Sequence, residues 1–176
     1  MINYKFDKSI LEPIIGTNLL QFFLKGGLFQ LGDSTQIDST DELILIFQKK
    51  AALYVKISIK FDGPLFSIEK DKVVDIKTKL GAYPAIDFDE FNCAINNPLD
   101  GLVSSIEIFY DTMENVDNVI LNYFKGIVIK FTSKEKVIIQ SSDSPKSFSI
   151  FFDDSHYQLI AEQCKERVFL GTEHDV

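Results

Sequence analysis

The residues of this chain that could do chemistry are mostly carboxylates. Among 176 residues there are 26 Asp and Glu and 18 Lys and Arg, but only two His, two Cys and no Trp. Two acidic segments also contain large rings, an arrangement typical of surfaces that bind basic proteins, since the charges steer the encounter and the rings fill a pocket. The candidate partner-binding residues are Asp87, Phe88, Asp89, Glu90, Phe91, Tyr110, Asp111, Glu114 and Asp117.

Both acidic segments also have simpler interpretations. Their carboxylates would then be solvated loop residues and their rings would fold into the core, where Phe is usually found. Asp87 and Asp89 could instead act as acid and base or bind a hard cation, because their i, i+2 spacing puts both on one face of an extended segment. The glycine and glutamate of a calcium-binding EF-hand loop are missing there. We therefore predict a partner-binding site, with no metal and no cofactor.

The histidines and cysteines do not form a recognisable catalytic site. Asp153, Ser155 and His156 are close in sequence, whereas a catalytic triad is assembled from separate parts of a fold, so this cluster predicts a helix cap. Cys93 and Cys164 are expected to be separate reduced thiols. Gly26 and the glycine after it lack the spacing of a phosphate-binding loop. The sequence therefore predicts a protein without enzymatic activity.

The charge balance restricts the kinds of partner. A net charge of -8 repels phosphate backbones, so direct binding to nucleic acid is not expected. The same field would speed the encounter with a basic protein, although an acidic surface also serves solubility alone. No stretch reaches the roughly 20 apolar residues that cross a bilayer, and the N-terminus does not resemble a secretion signal. We expect a cytoplasmic protein that does not enter a membrane.

The elements that must position these residues are mostly strands. Leu53 to Phe61 alternates between apolar and polar residues, as a strand with one buried face does. Leu43 to Phe47 is apolar on both faces, and Gln48 to Lys50 is expected to turn the chain between these two strands. Further strands are expected at 106–110, 119–124, 127–131, 137–139 and 148–151, with a turn at 133–136.

Helices are expected near both ends of the sequence. One short helix is predicted over Ile10 to Ile15, and a second over Asn18 to Lys25 with Gly26 as its cap. A C-terminal helix is predicted to begin at a capping box of Ser155 and Gln158 and to carry Lys165 and Arg167 in its last turn. One face of this helix is predicted to be lined by Tyr157, Ile160, Cys164 and Val168. The segment 78–100 is expected to be irregular. The predicted fold is a single α+β domain over 1–176, with a mostly antiparallel β-sheet of about six to eight strands, a short N-terminal helical region and a C-terminal helix.

The last strands resemble the closing strands of small acidic bacterial immunity proteins, including those of contact-dependent growth-inhibition systems. The resemblance lies in the strand rhythm of 124–131, 137–142 and 148–154. It implies a cytoplasmic, non-enzymatic protein that binds a cognate protein toxin domain, often a basic RNase or DNase, and blocks its active site or an adjacent surface. A monomer that forms a 1:1 complex is the expected assembly. No individual residue role follows from the resemblance.

A different class of protein also fits the composition. The 16 Phe residues would suit a carrier that holds a small apolar ligand in a β-rich cavity. A packed core explains the same residues equally well. We therefore keep the carrier as the alternative to the toxin-binding protein.

Overall fold

A computed structural model of the protein describes residues 2–3, 7–31, 34–50, 53–62, 65–74, 93–114, 120–141 and 147–171. These residues form one sheet, one α-helix and two single-turn 3-10 helices at Lys8–Ile10 and Glu12–Ile14. The α-helix, α1, spans Asp154–Gln163. The strands are β1 (Ile2–Asn3), β2 (Asn18–Leu31), β3 (Ser34–Lys50), β4 (Leu53–Asp62), β5 (Leu65–Val74), β6 (Cys93–Asn96), β7 (Val103–Glu114), β8 (Ile120–Phe131), β9 (Lys136–Ser141), β10 (Ser147–Phe151) and β11 (Glu166–Gly171).

The strand order is β11-β7-β8-β9-β10-β3-β2-β6, and β4 with β5 forms a branch beside β3. Strand β3 is long enough to pair with two strands on one side, using 37–40 for β10 and 42–50 for β4. Only the short β1 pairs in parallel, with β8, among the strands that the structure describes. The prediction of a mostly antiparallel sheet with a C-terminal helix is confirmed, and the described residues supply eleven strands where six to eight were expected.

The central strands are buried on both faces. One face of β7 to β10 joins β2, β3 and β4 in the main core, which contains Ile108, Ile129 and Ile139. The other face carries a second cluster, in which α1 packs Ile160 against Phe109 and its neighbours. Burial on both faces explains why Val128 and Ile138 are apolar as well as the residues beside them.

Gly126 lets α1 lie directly on β8. A Cβ atom at this position would be 2.5 Å from Ile160 Cδ1 and 2.8 Å from the carbonyl oxygen of Ile139. Both distances are shorter than van der Waals contact, and the second involves the sheet backbone itself. The missing side chain therefore sets how closely helix and sheet approach.

Two N-terminal predictions are corrected by the structure. The segment Asn18 to Lys25 is not a helix but the first part of β2, because it pairs with β3 on one side and β6 on the other. Ile10 and Ile14 lie in separate 3-10 turns, consistent with the proline at position 13, which shortens the helical run. Hydrogen bonding to residues that lie well outside the segment therefore outweighed the local helical spacing.

The C-terminal helix is shorter than predicted. It ends at Gln163 with Cys164 as its C-cap, so Lys165 and Arg167 are not in its last turn and Val168 lies in β11. From Glu166 onward the backbone pairs with β7 instead. The N-cap is Asp153 rather than Ser155.

Several strand boundaries also differ. Gln48 to Lys50 continue β3 rather than forming the turn to β4. The segments 119–124 and 127–131 were expected as two strands, but β8 is continuous from Ile120 to Phe131. Strands β5 and β11 were not predicted, and all of β6 lies within the segment 78–100 that was expected to be irregular.

Candidate functional site

The predicted partner-binding residues fall into two groups. Asp87, Phe88, Asp89, Glu90, Phe91 and Asp117 lie outside the described residues. Tyr110, Asp111 and Glu114 belong to β7, so the strand expected at 106–110 continues to Glu114 and the interpretation of the second acidic segment as a loop is wrong from 111 to 114.

Tyr110 is a core residue in this structure. Its exposed fraction is 2%, and it pairs with Phe124 on the face of β7 that joins the main core. The simpler interpretation of this ring, in which it folds into the core, therefore describes its position.

Asp111 lies on the opposite face of β7 and is half-buried. The backbone N–H of Thr112 donates to Asp111 Oδ1 at 2.7 Å, and the Tyr123 hydroxyl donates to Oδ2 at 3.5 Å. Two donors on paired strands thus fix the orientation of this carboxylate. Such an oriented group loses little entropy when it binds a cation.

Cys164 lies near Asp111 under the end of α1. Burial, helped by the negative charge of Asp111 and opposed by Lys125, raises the pKa of the Cys164 thiol to about 11. The thiol is free and stays protonated at neutral pH. A protonated thiol is a poor nucleophile.

The cluster of Asp153, Ser155 and His156 is a helix cap, as predicted. The backbone N–H of His156 donates to Asp153 Oδ1 at 3.0 Å, and the Ser155 hydroxyl donates to the same oxygen at 2.5 Å. The His156 ring stacks on Phe151 with 3.7 Å between centroids, and its Nδ1 lies 2.8 Å from both carboxylate oxygens. Because the hydroxyl points at the carboxylate and not at the imidazole, no nucleophile–base pair is formed.

The hydrogen bonds of this cap also control the ionisation of Asp153. Partial burial would raise the pKa of its carboxyl, but hydrogen bonds from Ser155 and His156 outweigh that effect and lower the pKa to about 2. The N-cap carboxylate is therefore charged across the physiological range.

A buried carboxylate that the sequence reasoning missed lies beneath α1. Glu107 is 2% exposed and forms an ion pair with Lys130 on β8. The Tyr157 hydroxyl on α1 donates to Glu107 Oε2 at 3.1 Å, and Arg167 Nη1 on β11 lies 3.4 Å from the same oxygen. A charged residue between Ile106 and Ile108 is the sequence signal that could have indicated it.

The cations around Tyr157 complete this network. Lys130 Nζ and Lys136 Nζ lie 4.9 and 5.0 Å from the centre of the Tyr157 ring, within the range of cation–π attraction. Lys136 also pairs with Asp154. Burial opposes the charge of Lys130, but the hydrogen bond and charge of Glu107 raise its pKa overall. The network holds three cations around two carboxylates and connects α1 to β7, β8 and β9, which is a structural role.

Asn122 on β8 is the second residue that sequence reasoning missed. Its exposed fraction is 6%, and its Nδ2 donates to Glu166 Oε2 at 3.2 Å. Its Oδ1 has no hydrogen-bond partner, alone among the buried side-chain polar atoms of the residues that the structure describes. A buried acceptor without a donor costs about 1–3 kcal/mol of stability.

The described ranges hold neither a metal-ligand cluster nor a membrane-spanning helix. No group of three or more His, Cys, Asp or Glu side chains there could hold a metal ion. Within the same ranges, no helix is both long and apolar enough to span a membrane.

Comparison with known proteins returns no relative. The chain matches no protein-family model, no curated protein and no solved structure.

Proposed function

We propose that this protein is a non-enzymatic inhibitor that neutralises a cognate basic toxin domain of the RNase or DNase class. Its acidic surface binds the toxin tightly and blocks the active site or an adjacent surface. In this proposal the protein works in the cytoplasm, as a monomer that forms a 1:1 complex and needs no cofactor.

The observation that carries the proposal is Asp111, an oriented carboxylate on a chain with a net charge of -8. It is held by hydrogen bonds on β7, in the same acidic segment as Glu114 and Asp117. Nucleases bind phosphate with Lys and Arg, and a fixed carboxylate array can pair with those same groups. The carboxylates of the inhibitor would thus occupy the phosphate-binding site of the toxin, although the inhibitor does not resemble a nucleotide.

The reactive groups among the described residues have structural roles, which supports the proposal of a non-enzymatic protein. Asp153 and His156 cap α1, and the pKa of Cys164 is raised to about 11. Glu107 is surrounded by Lys130, Arg167 and Tyr157. These contacts favour a binding protein over a catalyst.

The proposal is tested by growth rescue. Candidate toxin domains are expressed one at a time with and without the full chain, and survival is followed. Rescue from one toxin and not from unrelated toxins is the expected result, because a specific inhibitor recognises one partner. Failure to rescue from any of a broad set would contradict the proposal.

A pair of charge reversals tests the acidic surface directly. Asp111→Lys should weaken binding to the rescued toxin, since it puts a cation where the partner presents cations. Asp100→Lys makes the same change at an exposed carboxylate before the start of β7 and should have little effect. Equal affinities for the two variants, with unchanged melting temperatures, would remove Asp111 from the interface.

A further inference from the structure

The last turn of α1 ends beside Asp111. Cys164 is the C-cap of α1, and Glu166, two residues later, pairs with Tyr110 of β7. Tyr110 belongs to the main core, so Asp111, which follows it, lies on the face of β7 that carries α1. The negative charge of Asp111 accordingly reaches the Cys164 thiol. We call Asp111 together with 161–164 the α1 C-terminal site.

The end of α1 at this site is negative. The last hydrogen bond of the helix is donated by the Cys164 N–H to the Ile160 carbonyl at 3.2 Å, so the carbonyls of 161–163 have no partner within the helix. The partial negative charge of a helix C-terminus is stabilised by Lys or Arg in the last turn. The last turn of α1 has no basic residue and holds the exposed Glu162 instead. A cation is therefore stabilised at this end of the helix.

The lysines close to the α1 C-terminal site do not pair with Asp111. Lys165 is exposed, and its Nζ donates to Thr112 Oγ1 at 2.8 Å, on the opposite face of β7 from Asp111. Lys125, whose charge also reaches Cys164, is 6% exposed. No ion pair of the described residues includes Asp111. In the part of the chain that the structure describes, this carboxylate thus has no counter-ion.

Asp111 keeps hydrogen-bonding capacity on both of its oxygens. Oδ1 accepts from the Thr112 N–H at 2.7 Å, and Oδ2 accepts from the Tyr123 hydroxyl at 3.5 Å. Each oxygen of a carboxylate has about two lone pairs, so each can accept one more hydrogen bond. The residue is half-buried, so part of it is open to the surface. Two fixed oxygens side by side match the paired N–H donors of a guanidinium group.

We propose that the α1 C-terminal site receives an arginine of the basic protein partner, whose guanidinium donates to both oxygens of Asp111 and to a carbonyl oxygen at the end of α1. Arginine suits the site better than lysine, because its planar group offers five N–H donors in a fixed fork whereas an ammonium is a point charge. Tyr123 is a positioning residue, since its hydroxyl holds Oδ2 of Asp111. This inference rests on the proposed function and adds the chemical group that is recognised and the helix end that helps to recognise it.

The first test titrates the isotope-labelled full chain with acetyl-arginine amide and, separately, with acetyl-lysine amide. The arginine probe should shift the NMR signals of the Thr112 and Cys164 backbone amides at a concentration about threefold lower than the lysine probe requires. Asp111→Asn should abolish this difference, because an amide has one acceptor oxygen instead of two. Equal responses to both probes, or shifts confined to other surfaces, would overturn the inference. The same shifts produced by calcium chloride alone would assign the site to a metal ion and overturn it as well.

The second test uses the toxin domain that the chain neutralises in the rescue experiment. Asp111→Asn should raise the dissociation constant about tenfold or more, and Glu162→Gln about threefold, since Glu162 acts through its charge alone. Asp100→Asn is the matched control, because it makes the same change at an exposed carboxylate before the opposite end of β7. Equal effects of Asp111→Asn and Asp100→Asn would overturn the inference and leave the proposed function standing.

The arginine of the partner is located by a double-mutant cycle. Each arginine of the toxin domain is changed to lysine, which keeps the charge and removes the fork of donors. One of these changes should weaken binding about tenfold, and that loss should disappear when the chain carries Asp111→Asn. If no such toxin variant is coupled to Asp111, the inference is wrong even though the toxin is still neutralised.

Tyr123→Phe separates a positioning role from a structural one. The variant keeps the ring and removes the hydroxyl that holds Asp111, so the preference for the arginine probe should fall about twofold while the melting temperature stays the same. A lower melting temperature with an unchanged preference would make Tyr123 structural and contradict its positioning role. Arginine-selective shifts at Thr112 and Cys164 without rescue from any toxin would keep the site assignment and contradict the proposed function.

Discussion

Replacing Glu107 by Ala tests how α1 is held on the sheet. The carboxylate is almost fully buried, pairs with Lys130 on β8, and accepts from the Tyr157 hydroxyl on α1 at 3.1 Å. Its contact with Arg167 Nη1, at 3.4 Å, involves a side chain that is 54% exposed. The Glu107 carboxylate thus has three partners, Lys130, Tyr157 and Arg167, whose side chains differ in how far they are exposed to water.

The expected loss of stability depends on how exposed each partner of Glu107 is. Breaking a buried ion pair by removing one partner costs about 3–5 kcal/mol, because the other charge is left without compensation. The Lys130 side chain is 30% exposed and can regain some water, so we expect a loss at the lower end, about 3 kcal/mol. Arg167→Ala breaks an exposed contact with the same carboxylate and should cost less than about 1 kcal/mol.

Urea unfolding at neutral pH measures both losses, with the slope against denaturant unchanged between variants. The double variant of Glu107→Ala and Lys130→Met should lose about 2 kcal/mol less stability than the sum of the two single losses. The reason is that removing both charges leaves neither of them buried without its partner. Similar small losses for Glu107→Ala and Arg167→Ala, or strict additivity in the double variant, would refute the reasoning.

Four further predictions follow from individual residues. Gly126→Ala should cost about 1–3 kcal/mol in urea unfolding, since its Cβ would lie 2.8 Å from the Ile139 carbonyl oxygen, and an unchanged free energy of unfolding would contradict the packing described here. The pKa of Asp153 is lowered from 3.8 to about 2, so its stabilisation is complete above pH 4 and is lost as the pH falls through 2. Wild type should therefore lose about 1 kcal/mol more than Asp153→Asn between pH 5 and pH 2, after allowance for screening, and parallel acid melting curves would exclude this effect. Asp89→Lys should slow association with the toxin while leaving the melting temperature unchanged, as measured by stopped-flow mixing, and equal rates would remove that segment from the interface. Native mass spectrometry should give the mass of the bare chain, whereas a retained small apolar molecule would favour the ligand carrier.

Alternation of apolar residues located the strands best where a strand has one clear face or a sharp turn. The alternation predicts β4 and the hairpin of β8 and β9 directly. In both places the strand pairs with one that is joined to it by a short connection, so the pattern of one strand matches that of its partner. The cap at Asp153 and His156 was also readable, since it depends on residues three apart in sequence.

The misses share a physical cause. Asn18 to Lys25 has a spacing that suits a helix, but hydrogen bonds to β3 and β6 made it a strand, and those partners are far away in sequence. Strand β11 follows α1 so closely that the two looked like one helix, and only pairing with β7 separates them.

The sequence by itself determined the acidic charge, the antiparallel sheet, the helix cap and the scarcity of reactive groups, because composition and short-range spacing carry that information. The tertiary structure decided that Tyr110 is buried, that Glu107 fastens α1 to the sheet, and that Asn122 Oδ1 lies unpaired beside Glu166 near the exposed Ile120. These depend on which strands become neighbours, and contacts between residues tens of positions apart leave no periodic signal in the chain.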